Sequence, residues 1–367
     1  MTLKGLFFPC PPDEVTAIVL DSHKTTQSVG VAQMSVATEN EGLPSLDVVV
    51  PEATREQITG RTLRQIAWMR LRRDRVAKVS VAILLVIVFL AVFAPVLCGL
   101  LKVDPYTFHS EVISDNGGLP IGKWGGVSKA HPLGVEPGTG RDILARLLYG
   151  SRISLLIAGS AALITVVTGV VVGIVAGNSR GWVDKVLGRF MDLTLAFPVL
   201  LVIIAMSPVL EQRVVAAGVP DGNTSRVITL IIVLSVFGWP YLARLIRGQV
   251  LGLREREFVE AAISLGASNR RILFKELLPN LWGPILVYTT IAVPGLIGAE
   301  ATLAYLGISV LPPTATWGSM LEESVGYFTV DPFYFCVPLT MLVAAVLSFN
   351  LLGDSLQDAL DPKAGRK

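Results

Sequence analysis

Charge is scarce in this chain of 367 residues: 16% are Asp, Glu, Lys or Arg, against 52% hydrophobic residues, and the mean hydropathy is +0.61. Soluble domains carry about a quarter charged residues, so water is not the main solvent of this protein. With 31 basic and 29 acidic residues the net charge is +2, which gives no global footprint for nucleic acid and shifts the information to where the charges stand. Cysteine and histidine are sparse as well. Cys10, Cys98 and Cys336 lie far apart, outside any CxxC or Cys/His pattern, and read as apolar filler. His23, His109 and His131 show no paired spacing, which argues against a metal site or a histidine-centred triad. The sequence has no GxxxxGKS/T phosphate loop, so the usual cradle for ATP is missing. Catalysis, a metal and a cofactor bound by this chain are all unexpected.

What the chain has is apolar length. Residues 79 to 101, VSVAILLVIVFLAVFAPVLCGLL, contain no charge and cover roughly 30 Å as a helix, enough to cross a bilayer. Just before them Arg70, Arg72, Arg73, Arg75 and Lys78 hold the N-terminal side in the cytoplasm by the positive-inside rule. Residues 61–101 are therefore expected to be a cytoplasmic basic segment leading into a first transmembrane helix. Further spans at 153–177, 190–210, 227–247, 284–310 and 333–353 predict an all-α membrane protein with six transmembrane helices and both termini in the cytoplasm, residues 354–367 forming a C-terminal tail. Arg180, Lys185 and Arg189 after the second span, and Arg244, Arg247, Arg254, Arg256, Arg270, Arg271 and Lys275 after the fourth, fit that orientation. The loop between the fifth and sixth spans has no Lys or Arg.

Residues 1–60 mix PPDE, TENEG and PEATREQ runs with no period that could bury a face, and predict a disordered extension. Lys4 is followed by a short apolar stretch and then Pro9, Pro11 and Pro12, unlike a secretory signal. Met34 opens a more ordinary polar N-terminus, so residues 1–33 are expected to come from a misassigned start. Residues 102–152 form an outward loop in which six basic residues are balanced by five acids. Within it RDILARLLYGSRISLL places Ile143, Leu144, Leu147 and Leu148 on one helical face and Arg141, Asp142 and Arg146 elsewhere. That pattern suits a helix lying along the interface, or simply one entering the membrane.

Proline recurs inside the spans, at 198, 240, 294 and 338, as in helices that line a cavity or pack on neighbours able to satisfy the freed backbone groups. Residues 153–353 thus read as a five-helix core, with a cytoplasmic loop at 254–280 that is neither membrane nor linker. Glu257, Phe258, Ala261, Ala262 and Leu265 suit a short amphipathic helix that Gly266 can end in a left-handed conformation. A second short helix carries Ile272, Leu273 and Leu277 on one side and Arg270, Arg271 and Lys275 on another, with Pro279 expected to stop it. Small Ala261 and Ala262 let a partner approach the backbone, and Glu260 offers a carboxylate to its donors. The residues alone fit equally a knob inserted into a groove and an amphipathic loop on lipid headgroups.

Glu260, Ala261 and Ala262, followed by Gly266 and then Leu278 and Pro279, resemble the EAA loop of binding-protein-dependent ABC importer permeases. HPLGVEPGTGRDILARLLYGSRISL, AEATLAYLGISVLPPTATWGSML and NLLGDSLQDALDP resemble dipeptide, oligopeptide and nickel importer permeases of the second type. The resemblance implies a type I permease of the bacterial plasma membrane that docks on an ATPase through Glu260, Ala261, Ala262, Gly266, Leu278 and Pro279. It also implies a second permease subunit, two ATPase subunits that use ATP and Mg, an extracytoplasmic solute-binding protein and a peptide cargo, nickel chelates and oligosaccharides being the alternatives. Glu300 is the one acid deep in a predicted span, where it either touches cargo or a gate, or holds helices together. A secondary transporter would need intramembrane charge pairs or an inverted repeat, and neither is evident.

Overall fold

The computed structural model describes residues 63–115, 118–179 and 181–360; the expectations for residues 1–60, including the start site, lie outside them. Among the described residues the regular structure is helical. In chain order the helices are α1 (Leu63–Arg73), α2 (Arg75–Val92), α3 (Ala94–Leu101), α4 (Ile143–Asn178), α5 (Trp182–Ala196), α6 (Val199–Ala216), α7 (Asn223–Arg254), α8 (Glu257–Ser264), the single turn α9 (Asn269–Arg271), α10 (Leu278–Tyr305), α11 (Trp317–Val325) and α12 (Pro332–Leu360). Six stretches are long and apolar enough to cross a membrane: α2, α4, α6, α7, the run from Asn269 to Tyr305, and α12.

Several boundaries differ from the sequence expectation for local reasons. The first span is divided at Phe93, since Pro95 at the start of α3 lacks the N–H that would continue the ladder from α2. The expected third span at 190–210 straddles a break. Phe197 is extended, as the residue before a proline prefers, so α5 ends at Ala196 and the membrane-length helix α6 begins after Pro198. The expected interfacial helix does not stand apart. Asp142 caps Ala145 N–H at 2.8 Å, and from Ile143 the chain runs as one helix of 36 residues, about 54 Å long. That length exceeds the roughly 30 Å of a bilayer's hydrocarbon, and Arg141, Asp142 and Arg146, expected away from the packed face, are buried. Pro279 does not stop the second loop helix. A wider π-helical run at Ile272–Leu277 leads straight into α10, and Pro279 sits in the first α-helical turn after that run. At the far end, α12 carries the sixth span on through residue 360, into the expected tail.

The most extensive packing is between α4 and α7. Gly169, Gly173 and Gly177, one helical turn apart, face Leu242, Ala243 with Ile246, and Val250. A Cβ on Gly173 would stand 2.6 Å from the carbonyl oxygen of Ala243, so only glycine allows the approach. A larger core joins Ile87 of α2, Ile143 and Leu147 of α4, Ile297 of α10, Trp317 of α11 and Tyr334 of α12. Trp317 fixes α11 on α4 by donating from its indole to Ser151 Oγ at 2.9 Å and from its backbone to Ser154 Oγ at 3.0 Å. The bundle thus has a knob end, with α8, and a loop end, with residues 102–142 and α11.

Candidate functional site

At the knob end, α8 carries the predicted Glu260, Ala261 and Ala262. Val259 is fully buried in a cluster with Ile246 and Val250 of α7 and with Ile272, Leu277 and Leu281 leading into α10. Burying an apolar side chain of that size is worth about 1.5 kcal/mol or more, so Val259 pins the short helix to α7 and to the run Ile272–Leu277 that leads into α10. The opposite face is open: Glu260 and Ala261 are exposed, as are Phe258, Ile263, Leu265 and Phe274, with Leu265 88% exposed. Gly266 ends α8 at φ +78°. There Gly266 N–H donates to Ile263 O at 2.9 Å and Ala267 N–H to Ala262 O at 3.0 Å, satisfying carbonyls the helix leaves over. No atom crowds the place a Cβ would take, so the glycine is required by the sign of φ alone.

Leu278 packs against the same cluster while Pro279 is exposed at the base of α10. The structure thus gathers six of the predicted residues at one end. Glu300 is elsewhere, ~33 Å along α10 from Leu278 at the helical rise. It is 1% exposed, accepts from Ser309 Oγ at 3.0 Å and rests its other oxygen against Gly318 of α11.

Two polar ties beside the knob escaped the sequence reading. Arg247 of α7 donates from Nε and Nη2 to Asp184 of α5 at 2.6 and 3.0 Å. Arg254, at the end of α7, donates to the last carbonyls of α4, Gly177 O at 2.9 Å and Asn178 O at 3.2 Å. These arginines were legible only as inward-facing charge; nothing in the sequence pairs them with a residue some sixty or seventy positions earlier.

The loop end holds a buried ionic cluster, also missed. Arg146 pairs with Glu136 and, at 2.8 Å, with Glu323 of α11; Arg141 donates to Glu136 at 2.7 Å; and the Tyr334 hydroxyl is 2.8 Å from Glu136 and 3.2 Å from Glu323. Two guanidinium groups meet two carboxyls. Burial alone would raise both carboxyls. At Glu136 the Arg146 charge and the bonds from Arg141 and Thr139 outweigh it and hold the group well below the usual range. At Glu323 burial and the neighbouring Glu136 prevail, and its carboxyl is pushed up. His131 contacts Asp142 at 2.9 Å and stacks edge-on with His109, the ring centres 4.9 Å apart, although no group able to hold a metal ion occurs among the described residues.

Residues 169–366 match the family described as binding-protein-dependent transport system inner membrane component, and residues 62–115 match the N-terminal TM domain of oligopeptide transport permease C. The chain is 35% identical over 297 residues to the oligopeptide transport system permease protein OppC of Bacillus subtilis (strain 168), covering 81% of this chain and 88% of the relative. It is 35% identical over 303 residues to the dipeptide transport system permease protein DppC of the same strain, covering 82% and 86%. With the glutathione transport system permease protein GsiD of Pectobacterium atrosepticum it shares 33% identity over 296 residues, 81% of this chain and 90% of the relative.

Proposed function

Because the chain belongs to the family of binding-protein-dependent transport system inner membrane components, we propose that it forms half of the membrane pathway of an ATP-driven peptide importer and takes its drive through α8. The relatives named for oligopeptide, dipeptide and glutathione transport support peptides as the cargo. ATP and Mg belong to two separate ATPase subunits, in keeping with the missing phosphate loop; a second permease completes the pathway and an extracytoplasmic solute-binding protein delivers the peptide. The knob end faces the cytoplasm, as its arginines favour.

The observation that carries this reading is the two-sidedness of α8. One face is locked to α7 and to the run leading into α10 through Val259, while Phe258, Ile263 and Leu265 lie exposed around Glu260 and Ala261. An apolar patch rimmed by a carboxylate and small side chains suits a groove on a partner. A push on it reaches α7 directly, α10 through the π-helical run Ile272–Leu277 that leads into it, and α4 and α5 through Arg254 and Arg247. Because α4 continues to the loop end, where Arg146 grips Glu136 and Glu323, the displacement crosses the bundle as movement of packed helices.

Tagging the chain and purifying it from its native membrane in mild detergent tests the reading. Recovery of a second permease and ATPase chains is expected; reproducible isolation without an ATPase would overturn it. In the recovered complex Ala262→Trp abolishes peptide uptake while the chain remains inserted. Gly266→Pro does the same, since proline cannot adopt φ +78°.

A further inference from the structure

At the loop end, residues 119–125 and 330–333 line a half-open pocket of about 320 Å³, whose lining includes Pro120, Trp124, Gly125, Asp331 and Phe333. Asp331 immediately precedes α12, and the nearby backbone N–H groups of Phe333 and Tyr334 favour its ionised carboxylate, as at a helix N-cap. Capping leaves part of the group unused. The residue is 6% exposed, and Oδ2 is buried with no hydrogen-bond partner. No Lys, Arg or His lines the cavity. A Cβ on Gly125 would stand 2.9 Å from Oδ2, so the turn closes on the carboxylate only because glycine is there. The Trp124 and Phe333 rings meet edge-on with centres 6.1 Å apart.

A buried carboxylate without a counter-charge is costly, and burial pushes Asp331 up. Its complement is a small organic cation held between the carboxylate and the aromatic rings. Location narrows the choice. The cavity adjoins the start of a membrane-length helix, and Ile121, Trp124 and Val330 around it are exposed. An apolar, aromatic rim is what the headgroup level of a bilayer favours, whereas a protein-docking rim is polar. Lys123, in the same turn as Trp124, is exposed and suits a phosphate.

We propose that this cavity binds the headgroup of an aminophospholipid, the ammonium at the Asp331 carboxylate beside the Trp124–Phe333 pair, the phosphate towards Lys123. The site is independent of the cargo and of the drive through α8, so its test stands or fails apart from them. The complex purified from its native membrane is stripped of loose lipid, offered phosphatidylethanolamine or phosphatidylglycerol, and examined by native mass spectrometry. Wild type is expected to retain phosphatidylethanolamine about tenfold better than phosphatidylglycerol. Asp331→Asn, which keeps a good capping side chain and hence the fold, loses that preference, and Trp124→Leu weakens it. Equal retention of the two lipids by wild type, or an unchanged preference in Asp331→Asn, would overturn the assignment. So would a tenfold loss of affinity for the solute-binding protein in Asp331→Asn with lipid retention intact, which would give the cavity to a basic side chain of that partner.

Discussion

Arg247 and Asp184 form a two-pronged bond between α7 and α5, with both contacts at 3.0 Å or less, beside the capping of α4 by Arg254. Both side chains are partly exposed, so the pair is worth at most about 1 kcal/mol of stability. Its importance is geometric, since in the proposed function it adds α5 to the body that α8 would move. Asp184→Arg and Arg247→Asp, each alone, are expected to cut peptide uptake by the reconstituted complex severalfold while its ATPase turnover continues. Combining the two restores uptake. A double variant no better than either single one would show that the bond does not transmit the movement.

The glycine row of α4 makes a stability prediction that needs no cargo. Gly173→Ala drives a methyl into the Ala243 carbonyl and Ile246 and should cost about 1–3 kcal/mol as an overpacking change. Gly159→Ala, in the same helix, meets open space and should gain up to about 1 kcal/mol from helix propensity. Thermal unfolding in detergent separates the two, and equal melting points would mean that α4 and α7 relax apart without loss.

Much of the architecture was legible because hydrophobic length needs no partner to be read: 79–101, 227–247 and 333–353 each fall largely or wholly within observed helices. Local chemistry placed Gly266 in the left-handed region for the same reason. What failed were boundaries set by competition. Pro198 was read as a breaker inside a span, yet its effect on Phe197 outweighed the continuous apolar run and moved the membrane helix to Val199–Ala216. Pro279 was read as a stop, yet a first-turn proline after a π-helical run is compatible with α10. The helical period puts Arg146 away from the apolar face of its segment, yet the side chain is buried. Its partners Glu136 and Glu323 lie on other elements, and a pairing across the fold leaves no periodic trace in sequence.

The ionic cluster predicts an unusual pH dependence. Glu323 has its folded-state pKa raised from 4.5 to about 7, so the folded protein binds more protons than the unfolded chain across that interval. Its contribution is fully present below pH 4.5 and is lost as pH rises through about 7. Glu136 acts in the opposite sense: its folded pKa is depressed, so its contribution holds above the unfolded value and fades only as the medium becomes strongly acidic. Melting temperature in detergent should therefore fall between pH 5 and 7 in wild type, a window taken from the Glu323 shift, and Glu323→Gln should remove that slope. A slope that survives the substitution would place the titrating group elsewhere. Arg146→Met, by contrast, leaves two buried carboxyls short of a counter-charge and should destabilise the chain by about 3–5 kcal/mol at neutral pH.

Glu300 decides between a role in the pathway and a role in packing. It is enclosed where α10 meets α11, bonded to Ser309 and pressed against Gly318, and is 1% exposed. We infer that its work is to hold the turn after α10 against α11, where solute has no access. Glu300→Gln keeps the size and the acceptor for Ser309, so uptake and melting temperature should stay near wild type. Glu300→Ala strands the Ser309 hydroxyl and opens a void, with an expected loss of about 1–3 kcal/mol that appears as a lower melting temperature and a reduced yield of complex. Should Glu300→Gln assemble normally and still abolish peptide uptake, the charge itself would be required and the carboxylate would belong to the pathway.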